Sequence, residues 1–224
     1  MRSTAALLLL LAGAAPVRLA AQRSWQWEAA LSGVGMRVNS TSGPATQKLS
    51  GAVFGFQGHA LFARLVTLNL GYWQGQITPA QGQPAQIAPR DVVEGYLQIG
   101  ARPLPWLWLR GGPHAWTYIS NAGRQRWLLM EGRARVQGEV LPDVQSYLEL
   151  WNVFSANVNV PQGFESGRGG EGGISLRIRD VPIIPEQFPV RIRAAYGIER
   201  VRMQGGARSE VVDRLSLSIG IESH

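Results

Sequence analysis

The sequence has no cysteine, one lysine and three histidines, and no run of apolar residues past its first twenty is long enough for a membrane helix. Without cysteine there is neither a disulfide framework nor a thiolate metal site. None of the histidines is spaced with carboxylates as metal ligands are, so no metal and no cofactor is expected. Lys48 is the single lysine, so arginine carries almost all of the basic charge behind the formal +7. Those arginines recur singly or at alternate positions and never consecutively, which is not the footprint of a nucleic-acid partner. Charged residues make up 17% of the chain against 45% hydrophobic, too apolar a balance for a disordered chain.

What is present begins with an export signal. Met1 and Arg2 precede an apolar, leucine-rich run from Ala5 to Ala15, and Leu19-Ala20-Ala21 offers small residues for cleavage before Gln22. The run is about half of the roughly 20 residues a membrane helix needs, and Pro16 and Arg18 interrupt it. Residues 1–21 are therefore expected to be a cleaved signal peptide, and residues 22–224 a single mature domain.

The mature chain is written in period two. Over 127–140, Glu131, Arg133, Arg135, Gln137 and Glu139 alternate with Met130, Gly132, Ala134, Val136, Gly138 and Val140. This is a strand with one polar and one apolar face. The same alternation returns at 174–179, 190–199 and 214–222, and in weaker form at 24–38, 49–57, 61–73, 91–101, 106–119 and 143–158. Ten strands result. Polar stretches at 39–48, 74–90, 120–125, 159–173 and 203–210 are expected as long loops on one side. Short turns near Gly58, Arg102-Pro103 and Leu141-Pro142-Asp143 are expected on the other, with a longer 180–189 connection. An even number of strands of about ten residues, in an antiparallel up-and-down meander, resembles the bacterial outer-membrane β-barrels as a class. The resemblance covers nearly all of the mature chain and rests on pattern, not on a diagnostic motif. It implies an all-β transmembrane barrel in the outer membrane, assembled there by the barrel assembly machinery.

In such a barrel the apolar face meets lipid and the polar face looks inward. The inward set is then Glu28, Glu94, Arg110, Glu131, Arg133, Arg135, Glu139, Glu149, Arg177, Arg179, Arg191, Arg193, Glu199, Arg214 and Glu222. Arginine and glutamate nearly balance, which predicts an ion-pair network filling a narrow lumen. Trp106, Trp108, Trp127 and Trp151 share the inward parity. Arg37, Arg126, Arg200 and Arg202 share the outward parity near the loops, where they would meet the phosphates of lipopolysaccharide.

Some outer-membrane barrels are enzymes. The outer-membrane phospholipase and the lipid A deacylases place His and Ser two apart on one strand, and omptin-like proteases place Asp and His so. Here Leu61 stands two beyond His59 and Trp116 two beyond His114. His114, after Gly111-Gly112-Pro113, is the one candidate for a ring projected toward the rim. Gly167-Arg168-Gly169-Gly170-Glu171-Gly172 has the spacing of a dinucleotide fingerprint but no strand-to-helix context, and is expected as an external loop. The resulting expectation is a structural or surface-binding role through loops and rim. A narrow solute channel and a lipid-modifying enzyme stand behind it.

Overall fold

The computed structural model describes residues 25–84, 86–121, 123–159, 163–179, 181–182, 184–185 and 188–223. The expected signal peptide lies outside the described residues. The strands are β1 (Gln26–Ser42), β2 (Ala45–Phe62), β3 (Val66–Pro79), β4 (Arg90–Leu104), β5 (Leu107–Ser120), β6 (Gly123–Leu141), β7 (Val144–Val158), β8 (Phe164–Ile178), β9 (Val190–Met203) and β10 (Ser209–Glu222). Each pairs antiparallel with its neighbours in sequence, and β1 pairs with β10 to close the barrel, so no edge is left unpaired.

Alternation places every side chain on one of two surfaces. On β1, Ala30, Ser32, Val34, Met36, Val38 and Ser40 are buried, while Leu31 between them is 69% exposed. Phe54, Ile99, Leu150, Phe154, Leu215 and Leu217 are exposed in the same way around the outside. Inside, Glu131, Glu199 and Glu210 are among the most deeply buried side chains. This inversion suits a barrel embedded in lipid and would be costly in water.

Strand lengths differ from the sequence reading. β1 and β2 run through most of 39–48 to a two-residue turn, with Thr41 and Thr46 facing each other across it, because backbone pairing continues whether the side chains are polar or not. At this loop end the connections are 43–44, 80–89, 121–122, 159–163 and 204–208. At the other end, where β1 begins and β10 ends, they are 63–65, 105–106, 142–143 and the longest, 179–189. The turn expected near Gly58 forms instead at Ala63 and Arg64, both in the left-handed region with φ of 50° and 59°. His59 is thereby carried into β2, and the turn expected at Arg102-Pro103 falls at residues 105–106. Trp106 sits in that turn, 49% exposed, whereas Trp108, Trp127 and Trp151 are buried inside. The third strand, expected to end at 73, continues to Pro79.

The glycine-rich segment is strand, not loop. Gly167, Gly169 and Gly173 of β8 face inward, opposite Val153, Trp151 and Tyr147 of β7. A Cβ on Gly173 would lie 2.6 Å from the Tyr147 ring, and one on Gly169 would overlap the Trp151 ring. Glycine is what lets the large rings of β7 lie flat against the inner wall.

The interior has two halves. Toward the loop end Val38, Leu49, Val53, Ile77, Trp116, Trp127, Leu129 and Met203 belong to an apolar plug with almost no exposure. Trp116 and Trp127, opposite each other on β5 and β6, stack at 5.5 Å. Above the plug the Tyr118 hydroxyl donates to Glu210 Oε1 at 2.7 Å and Arg208 Nη2 to Glu210 Oε2 at 3.0 Å. Toward the other end the interior is charged.

Candidate functional site

The charged half is built by inward positions of β1 and of β4 to β10. At its centre His114 of β5 is held at both ring nitrogens, Nδ1 to Glu131 Oε1 at 2.6 Å and Nε2 to Glu94 Oε1 at 2.9 Å. Arg133 meets Glu131 at 2.7 Å and Glu149 at 3.1 Å, and Arg214 meets Glu94 at 3.1 Å and Glu199 at 3.2 Å. Each carboxylate in this belt thus faces at least one cation, the condition under which buried charge is tolerated.

Closer to the end where β1 begins, Glu149 also pairs with Arg110, and with Arg135 at 3.9 Å. Arg193 pairs with Glu28 at 2.8 Å, while Arg191, at 2.6 Å, and Arg177 share Glu222. The Tyr147 hydroxyl donates to Glu171 Oε1 at 2.6 Å. Of the inward positions read from the sequence, Glu94, Arg110, Glu131, Arg133, Arg135, Glu149, Glu199 and Arg214 thus form one cluster of ion pairs around His114, and Glu28, Arg177, Arg191, Arg193 and Glu222 form a second. Two inward positions lie outside both. Glu139 is exposed beside the β6–β7 turn, where its Oε1 accepts from the Asp143 backbone N–H at 2.9 Å. Arg179, past the end of β8, is 65% exposed and pairs with Asp143 at 2.7 Å.

Sequence reasoning did not find the middle of the network. His114 does not reach the rim, since β5 continues through Pro113, whose ring faces outward. Its polar partners are two carboxylates. His114, Glu131 and Glu199 bring possible ligand atoms within 4.8 Å of one another, but Arg133 and Arg214 already supply the positive charge those carboxylates call for. The even parity of β5 alone would have placed His114 inside; the Gly-Gly-Pro stretch obscured it.

Arg37, Arg126, Arg200 and Arg202 are exposed on the outer surface toward the loop end. Arg200 stands directly opposite Arg168 across β8 and β9, and Arg37 opposite Asp213 across β1 and β10.

No protein-family model and no curated protein matches the sequence. Among solved structures, the outer membrane protease OmpT of Escherichia coli aligns over 89% of this chain and 96% of its own with a TM-score of 0.53 at 11% identity. The chain is a bacterial outer-membrane β-barrel in fold. The attachment invasion locus protein Ail of Yersinia pestis aligns over 87% of this chain and 97% of its own, at 13% identity and a TM-score of 0.33. At these identities the likeness concerns the barrel, and what this barrel does must come from its own interior and rim.

Proposed function

We propose that the protein is a non-conducting barrel of the outer membrane, exported through its cleaved leader and inserted by the barrel assembly machinery, that acts through its outer rim and loops. The observation that carries this reading is the apolar plug. Trp116 and Trp127 are 2% and 1% exposed, and Val38, Leu129 and Ile77 fill the same level. A hydrated solute entering from the loop end meets tightly packed rings and then a belt of paired charges. Neither an open bore nor an unpaired constriction, the features that make a selective pore, supports passage. His114 inside has carboxylates for partners, so nothing favours a hydrolase.

The rim supplies the binding surface. Arg168 and Arg200 are like charges directly opposite on neighbouring strands, an unfavourable pair until an anion sits between them. Arg202 is two residues further along β9, on the same outward parity. Planar guanidinium forks in this array suit the phosphates of lipopolysaccharide in the outer leaflet. The Arg200→Gln, Arg202→Gln double variant is expected to fold normally and to lose most lipid A binding in a pull-down with immobilised lipid A. Unchanged binding would contradict the rim reading.

A further inference from the structure

The interior carries buried donors without acceptors, and most of them line one cavity. We propose that the charged half of the lumen is a blind-ended binding site for a small oxyanion, a carboxylate or a phosphate, that enters at the end where β1 begins and β10 ends. The site is independent of the rim described above.

The cavity has a volume of about 420 Å³ and runs from Gln26, Trp27 and Ser223 to Val34, Val53 and Trp73 on the near face of the plug. That is the size of a small-molecule pocket, roughly 300–1,000 Å³. Because the plug closes its far end, a molecule that enters can bind and leave by the same mouth but cannot pass through.

The two sides of the wall differ. On the side of β8, β9, β10 and β1 Glu28 pairs with Arg193 and Glu222 with Arg191 and Arg177, Glu171 accepts from the Tyr147 hydroxyl, and the donors left over are Arg193 Nε and Arg214 Nε. On the side of β3 to β6, Asn69 Nδ2, Gln98 Nε2, Trp108 Nε1 and Arg110 Nε are buried N–H groups without an acceptor. Asn69, Gln98 and Trp108 are 3%, 1% and 8% exposed, and all four side chains line the cavity. The register explains their proximity. Asn69 stands opposite Gln98 across β3 and β4, and Arg110 Nη1 donates to Asn69 Oδ1 at 2.9 Å.

Arg135 supplies the charge. It stands opposite Trp108 across β5 and β6, its guanidinium lies 3.6 Å over the Tyr147 ring, and its Nε has no acceptor. Its ion-pair partner, Glu149 Oε2 at 3.9 Å, is the oxygen that Arg110 already holds. A cluster of unused donors around an underpaired guanidinium calls for a ligand with several acceptor oxygens and negative charge. A cation would be repelled and an apolar molecule would leave the donors unsatisfied.

The test uses the folded full barrel in detergent micelles. Inorganic phosphate and succinate are titrated separately, and binding is read by calorimetry and by the fluorescence of the tryptophans that line the cavity. The expected result is saturable binding of at least one of the two with one site per barrel. Saturation by phosphate alone or by succinate alone supports the site and fixes its class. Arg135→Gln should weaken it by roughly tenfold or more while the barrel still shifts in mobility on heating. Should that variant fail to fold, Trp108→Phe, which removes one donor and keeps the ring, should weaken binding by a smaller factor. Absence of saturation with both anions would overturn the proposal, and so would equal affinity in folded Arg135→Gln or in Trp108→Phe.

Discussion

Glu131 is fully buried, yet its two oxygens face His114 and Arg133. Replacing it with Leu removes one acceptor from each and leaves the Arg133 guanidinium with Glu149 alone, a carboxylate it shares with Arg110 and Arg135. The expected cost is about 3–5 kcal/mol. Arg179→Gln, by contrast, removes a pair that is largely exposed and should change stability by less than about 1 kcal/mol. Urea unfolding of the two variants in lipid vesicles, followed by tryptophan fluorescence, should separate them by several-fold in free energy. Equal losses would mean that the lumen is hydrated enough to screen its ion pairs. At this scale the sequence was partly legible. Parity alone identified Arg133 as inward, because β6 alternates without interruption over 127–140. It could not show that Arg133 bridges Glu131 on its own strand and Glu149 on β7, since side chains that meet inside a barrel are set by register.

At the scale of the strand, β8 is the instructive case. Its inward positions from 167 to 173 are three glycines and Glu171, so there is too little side chain to display an alternation, and polar composition reads as a loop. The structure shows what the missing side chains are for: the Tyr147 and Trp151 rings of β7 occupy the space. Gly169→Val should therefore destabilise the barrel or prevent its assembly, and adding Trp151→Ala should restore part of what is lost. Heat-dependent gel mobility of the refolded single and double variants reads this directly. No rescue by the second substitution would mean that the clash with Trp151 is not the cause. The lengths of β1 and β2 were hidden for a related reason. Polar residues from 39 to 48 keep the strand pairing but lose the apolar half of the pattern, so only the two-residue turn between Ser42 and Ala45 marks the real end.

For the whole molecule, ten strands closing on themselves produce an outside made of Leu, Phe and Ile and an inside in which an apolar plug is stacked above a charged chamber. The number of strands followed from alternation, and the orientation of the two faces from the resemblance to outer-membrane barrels. The division of the interior did not, because Trp116, Leu129 and Val38 share the inward parity with Glu131 and only the closed barrel shows that they gather at one end. That division is the basis of the proposal that the barrel spans a membrane without opening it. The most direct measurement is single-channel recording of the refolded protein in a planar bilayer at neutral pH. The plugged barrel should insert without stable conductance steps, and Trp116→Ala with Trp127→Ala should allow steps to appear. Regular ohmic steps from the unaltered protein would contradict a closed lumen.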